Sequence, residues 1–387
     1  MTYEELCSFE VLYKAYLEAR KGKRSKSKTI EYEAQALACT EKLSRKLAVC
    51  NVRQPDGSRM VHAPAFVDKV VLHALVDNIL YDALTKSFIR DSHASQTGKG
   101  TDDGLMRLKT HMVDYYRREG HGADGWVLKG DVRHFFASID HRKLKRKLKA
   151  VLDKRGVDPR VYELLCIYID VMEDGLPLGY QTSQLFALMF LDEFDHIIKE
   201  KYRIKYYGRY MDDFYIICSD KKKLQCILRD VRALMDSYGL ELNQKTAIFP
   251  LRNGIDFLGF HSYLTDTGAV IQKLRRDSSK RMKNKIRYWE TAYPAGEVTK
   301  QEILRSFDAW DAHAAHGDTY SLRRKCADRL EKLLDCKIPI HRKINSNKLA
   351  RDRRRARQCR CIYKKQHKAL SLSVSQNTRP AEIMPWA

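Results

Sequence analysis

Tyr210-Met211-Asp212-Asp213-Phe214 sets two adjacent carboxylates between apolar, aromatic flanks. Residues 205–210 and the following Phe214-Tyr215-Ile216-Ile217 are rich in strand-forming side chains, so the acid pair falls where two strands of a hairpin meet. Neighbouring like charges repel unless a cation sits between them, and oxygen-only ligands suit magnesium or manganese. A further acid, Asp131, ends the apolar segment Trp126-Val127-Leu128-Lys129-Gly130 and precedes Phe135-Phe136, so it reads as the end of another strand. If that strand lies beside the hairpin, Asp131 and Asp212 bridge two ions ~4 Å apart, an arrangement that activates a 3′ hydroxyl and steadies a pyrophosphate leaving group. That chemistry is nucleotidyl transfer. A bare Asp-Asp pair is more often a solvated hairpin tip, and a lone Asp a helix cap; here the neighbouring segments weigh against that reading.

The 387 residues carry 72 Lys and Arg against 49 Asp and Glu, a net +23, with 44% hydrophobic residues. Such a content suits a globular chain of two or three subdomains and excludes a disordered one. A surplus of positive charge along the whole chain points to a polyanion, nucleic acid first. No apolar run approaches the ~20 residues of a spanning helix. The opening Met1-Thr2-Tyr3-Glu4-Glu5 lacks a basic-then-apolar leader, so the expectation is a cytoplasmic protein with no membrane partner. The ten cysteines lack paired spacing, as reduced thiols do, and His313 with His316 has no third zinc ligand nearby.

Apolar periodicity predicts helices over residues 3–20, 29–47 and 65–84. The basic stretch from Lys21 to Lys28 is a loop that either touches phosphates or is a solvated linker. Gln54-Pro55-Asp56-Gly57 is a hairpin turn signal between Arg53 and Arg59, whose guanidinium forks suit a triphosphate. Ser95-Gln96-Thr97-Gly98-Lys99-Gly100-Thr101 is not a nucleotide phosphate loop, because Gly rather than Ser or Thr follows the Lys. It reads as a Gly-hinged turn into a helix over 103–118, with Lys99 available to template or phosphate. Further helices are expected over 141–154 and from Asp158-Pro159.

The Gly- and Pro-punctuated loop Gly175-Leu176-Pro177-Leu178-Gly179-Tyr180-Gln181-Thr182-Ser183-Gln184, where backbone can approach a ligand closely, feeds an apolar helix over 185–199. Residues 224–238 form an amphipathic helix closed by Gly239, and 240–246 and 257–260 read as short strands. From Arg275 basic helices interleaved with Tyr288 and Trp289 suggest a duplex-gripping module, and 351–360 is another basic cluster.

Taken in order, these segments resemble the motif series of reverse transcriptases over about residues 45–265. Asp131-Val132-Arg133-His134-Phe135-Phe136 resembles their first catalytic motif and Tyr210-Met211-Asp212-Asp213 their second. Residues 240–246 resemble their lysine-bearing motif, and Phe257-Leu258-Gly259-Phe260 their primer grip. The resemblance implies an α+β fold with right-hand polymerase architecture: N-terminal helices and fingers over 1–125, a palm with an antiparallel sheet and inserted finger-derived helices over 126–265, and a basic helical thumb and tail over 266–387. Leu178, where many relatives carry Gln, and Ser183-Gln184, where many carry Ser-Pro, are similar to the reverse transcriptases of diversity-generating retroelements. That family copies a template RNA with errors opposite adenine, and its variant complementary DNA replaces part of a target gene (mutagenic retrohoming). Gln96 departs from relatives that place Arg there.

The resemblance further implies that Asp131 and Asp212 hold two Mg2+ ions, with Mn2+ as a substitute, supported by Asp213 and the Val132 carbonyl. Arg59, Arg53, Phe136, Leu178, Gly179, Gln181 and Lys245 would meet the incoming nucleotide, Phe136 as the gate against a ribose 2′ hydroxyl and Lys245 as a proton donor to pyrophosphate. Lys99, Tyr210, Met211, Leu258 and Gly259 would meet template or primer. Implied partners are template RNA, an RNA or DNA primer, the complementary DNA product, dNTPs and a small basic accessory protein. Two alternatives stand: a reverse transcriptase of a retron, group II intron or abortive-infection system, and a non-catalytic RNA-binding protein on a polymerase fold.

Overall fold

The computed structural model describes residues 1–48, 64–118 and 124–342. Four strands, β1 (Trp126–Gly130), β2 (Tyr206–Tyr210), β3 (Asp213–Cys218) and β4 (Ala247–Pro250), form an antiparallel sheet in the order β2-β3-β1-β4. Leu128, Tyr207, Phe214 and Ile216 belong to one hydrophobic core, and Val127, Tyr206, Tyr215 and Ile217 to another. Both faces are therefore covered, which is why these strands read as almost unbroken apolar runs rather than alternating ones. Helix Thr101–Arg118 supplies Leu108, Met112 and Tyr115 to the second core, and helix Lys221–Tyr238, stopped by Gly239 at φ 77°, lies across β1, β3 and β4.

Several expected elements are subdivided. The helix over 3–20 breaks into Tyr3–Leu6 and Phe9–Ala19, because Ser8 is extended and its hydroxyl donates to the Glu5 carbonyl at 2.7 Å. The helix over 29–47 is Ser27–Ala34 and Ala36–Ala48, parted where Gln35 leaves helical dihedrals. Over 65–84 the chain stays helical but widens to a π-turn at Val76–Leu80, where the Asn78 amide donates to the Ala74 carbonyl at 2.9 Å. The helix over 103–118 begins at Thr101. That over 185–199 begins at Gln181, runs to Phe190, and continues as Asp192–His196 and a π-turn at Ile197–Lys201.

Two expected strands are corrected. Residues 240–246 make a single bridge, Leu242 to Val132, and then turn, because Asn243 accepts the Thr246 N–H on its carbonyl and the Lys245 N–H on its side chain. Residues 257–260 hold the tip of a hairpin between β5 (Ile255–Phe257) and β6 (Phe260–Leu264), with Leu258 at φ 51° and Gly259 at φ 87°. Two left-handed residues in a two-residue loop match the twist of the flanking strands.

The chain divides into two compact units, Met1–Ile271 and Gln272–Ala387. Within the second, helices Arg276–Ala292, Lys300–Ala314 and Tyr320–Leu334 close around Ile286, Trp289, Phe307, Ala327 and Leu330, and Arg323 is buried against Asp311. Among the described residues no helix is long and apolar enough to cross a membrane.

Candidate active site

The register of β1 on β3 sets Gly130 opposite Phe214, so the chain leaves the sheet at Asp131 beside the tip of the β2–β3 hairpin. A Cβ on Gly130 would lie 2.2 Å from the Phe214 ring, which explains a glycine immediately before the acid. Tyr210 pairs with Asp213, leaving Met211 and Asp212 as a two-residue turn, with Met211 in the left-handed region at φ 56°. A side chain there costs about 1–3 kcal/mol, and such strain gathers at functional sites. Burial pushes the Asp212 carboxyl above its ordinary pKa and the charge of Asp131 adds to the rise, against the opposing pull of Lys129 and Arg209. Acids 81 positions apart (131 to 212) are thus electrostatic neighbours.

Asp213 has a lysine as its partner. It is ion-paired with Lys129, whose ammonium also stands 5.5 Å from the centre of the Phe257 ring. Among the described residues no three His, Cys, Asp or Glu side chains are arranged to hold a metal, and the acid whose charge acts on Asp212 is Asp131. That pair fits magnesium, which is commonly held by one or two carboxylates with substrate phosphates and water filling the remaining positions. Val132 is buried, bridged to Leu242.

Phe135 is core at 2% exposure while Phe136 is half-buried, their ring centres 5.6 Å apart. The 175–184 loop docks on Phe136: Leu176 donates to the Phe136 carbonyl at 2.7 Å, and a Cβ on Gly175, at φ 70°, would stand 2.6 Å from that carbonyl and from the Ala137 Cα. From this anchored base Leu178 projects to 73% exposure, an apolar side chain left in water beside Gly179. The Gln181 Oε1 is buried without a hydrogen-bond partner among the described residues. Ser95 donates to the side chain of Gln184, tying the 95–100 turn to the same loop.

Lys99 is turned inward, donating to the carbonyls of Ile89 at 3.1 Å and Ser92 at 2.7 Å, and burial lowers its ammonium to about 8. It closes its own turn rather than facing solvent. Lys245 is exposed at the start of the approach to β4. Tyr210 and Leu258 both pack on the second core, with Gly259 at the adjoining hairpin tip. Arg53 and Arg59 lie outside the described residues.

The residue that holds the turn belongs to none of the motifs legible in the sequence. Arg209 is 1% exposed; its Nε and Nη2 fork onto Asp195 at 2.7 and 2.5 Å, and its Nη1 donates to the Met211 carbonyl at 2.7 Å. Its backbone N–H donates to the Asp91 carbonyl and its carbonyl accepts the His93 N–H, each at 2.9 Å. Asp91 in turn binds Arg107 and Lys199, and Asp103 binds Arg90 and His93. The 91–93 segment is thereby stitched to β2. An arginine inside an aromatic strand is the available signal, since a buried guanidinium requires a carboxylate.

Residues 50–262 match the family model described as reverse transcriptase (RNA-dependent DNA polymerase). Protein YkfC of Escherichia coli strain K12 is 24% identical over 246 residues, 52% of this chain and 62% of YkfC. Among solved structures, apo telomerase from Candida tropicalis aligns over 70% of this chain and 52% of its own, with TM-score 0.43 and 15% identity. Telomerase from Candida albicans bound to a TWJ fragment of telomeric RNA aligns over 77% and 50%, with TM-score 0.42 and 13% identity. The chain thus spans less than two thirds of each of these relatives.

Proposed function

From the premise that this chain belongs to the reverse transcriptase family of RNA-dependent DNA polymerases, we propose that it extends a primer on an RNA template by nucleotidyl transfer at Asp131 and Asp212. The observation that carries this is the pairing of β1 with β3, which sets Asp131 beside the hairpin tip that bears Asp212, near enough for the charge of Asp131 to act on the Asp212 carboxyl. Magnesium held between them would neutralise the nucleotide phosphates and make the primer 3′ hydroxyl a better nucleophile. Of the chain's own groups, Arg209 fixes the turn that carries Asp212. The Phe136 ring and the 175–181 loop bound the sugar and base of the incoming nucleotide. Lys245 reaches the leaving pyrophosphate, and Asp213, paired with Lys129, supports the turn rather than ligating directly. The direct test is primer extension with dNTPs and magnesium on an RNA template. Incorporation supports the assignment; none, with RNA binding retained, leaves a binding protein on a polymerase fold.

The half-buried position of Phe136 suits a steric gate. Phe136→Ala is expected to raise ribonucleotide incorporation at least about tenfold relative to deoxynucleotide, a discrimination of the size that shape exclusion supplies. Unchanged sugar selectivity in single-nucleotide extension would remove the gate from Phe136.

We further assign the chain to the diversity-generating branch, copying a retroelement template RNA with errors opposite adenine and working with a small basic accessory protein. The exposed Leu178 supports this, because an apolar side chain offers the nascent pair no hydrogen bond and so restrains its geometry less than an amide. Leu178→Gln is expected to lower misincorporation opposite template adenine several-fold when products are sequenced. An error spectrum identical to that of the unaltered protein would detach Leu178 from fidelity.

A further inference from the structure

Asn243 sits where two parts of the site meet. Residues 131–133 and 241–243 run alongside one another: Arg133 donates to the Glu241 carbonyl at 2.8 Å, Asn243 donates its backbone N–H to the Asp131 carbonyl at 2.7 Å, and Val132 bridges Leu242. This pairing aims the Asn243 side chain at the acid. Its Nδ2 donates to Asp131 Oδ2 at 3.2 Å, while its Oδ1 accepts the backbone N–H of Lys245 at 3.1 Å. A single amide therefore spans a carboxylate of the metal pair and the turn that carries Lys245.

We propose that Asn243 is a positioning residue that orients the Asp131 carboxylate for the metal ions and couples it to the Lys245 turn, a role that rests on the polymerase reading above. The amide is suited to both ends at once. Its NH2 can only donate, so it holds one carboxylate oxygen and leaves the other to a cation; its oxygen can only accept, so it fixes the backbone two residues on. An aliphatic side chain supplies neither bond, and an aspartate supplies only the second. Through its two hydrogen bonds the same amide would pass a shift of the Asp131 carboxylate on to the Lys245 turn.

The experiment uses the full chain without nucleic acid or nucleotide, with manganese binding followed by the free-ion signal in electron paramagnetic resonance. Asn243→Ala is expected to raise the manganese midpoint about 10- to 100-fold, the usual consequence of removing a partner that orients a metal ligand. A midpoint within twofold of the unaltered protein overturns the proposal. Should Asn243→Ala not fold, Asn243→Asp keeps the shape and the acceptor for Lys245 but sets a carboxylate against Asp131. It is expected to melt at a lower temperature without divalent cations and to gain more on adding magnesium than the unaltered protein does; equal responses overturn the contact. Neither readout depends on polymerisation. A chain whose manganese binding depends on Asn243 yet which never extends a primer would sink the polymerase reading alone, and one that polymerises while its metal binding is indifferent to Asn243 would sink the positioning role alone.

Discussion

Asp212→Asn is expected to lower primer extension by at least roughly 10³-fold while the protein remains folded. A carboxylate that holds a catalytic cation contributes several kcal/mol to the barrier, and about 4 kcal/mol corresponds to three powers of ten. The amide keeps the shape of the side chain, so the two-residue turn and its contacts persist. The fold should not weaken either. Burial and the Asp131 charge hold the Asp212 carboxyl above its ordinary pKa. Ionising it therefore opposes folding as pH rises through that raised value, and any stability it lends is present only below the ordinary carboxylate range. At neutral pH the metal-free variant is expected to melt at the same temperature as the unaltered protein or higher, with the difference shrinking as pH falls. Thermal melts across pH with a chelator present, beside extension assays with magnesium, check both parts. Extension at the unaltered rate would remove Asp212 from the chemistry.

The site was legible where its geometry follows from strand ends. Asp131 closes one apolar run and Asp212 caps the next two, and antiparallel pairing of β1 with β3 then brings them together whatever the 81 positions between them contain. The hairpin tip at Leu258-Gly259 was not legible, because Phe-Leu-Gly-Phe is apolar throughout and Leu rarely takes the first left-handed position of such a turn. Periodicity likewise ran straight through Ser8 and Gln35, whose breaks are made by one side-chain hydrogen bond and one backbone dihedral rather than by any change in hydrophobic pattern. What sequence hid most completely was the polar interior. Asp195, Asp91 and Asp103 sit among other charged residues in the sequence and look like solvated acids, yet each is buried to 2% exposure or less and bound to a cation from a distant segment.

That interior makes the second large prediction. Asp195 accepts from both the Arg209 guanidinium and the Tyr207 hydroxyl, all three residues being sealed from solvent. Asp195→Ala leaves the guanidinium without its counter-ion and is expected to cost about 3–5 kcal/mol, read as a lower urea midpoint at unchanged slope. Replacing the whole set with apolar groups of similar volume, Asp195→Leu with Tyr207→Phe and Arg209→Met, should return stability to near its starting value, because a buried ion pair is often no better than good packing. Activity should not return with it. The Met211 carbonyl then lacks the donor that lies 2.7 Å away in the unaltered protein, and the left-handed turn is free to relax. Losing the partner of this half-buried carbonyl costs up to about 1–3 kcal/mol, so extension is expected to stay roughly tenfold to a hundredfold down in a protein that is otherwise sound. A triple variant that polymerises at the unaltered rate would reduce Arg209 to a packing residue, whereas a stable but slow one separates what the buried pair does for the fold from what its third hydrogen bond does for Asp212.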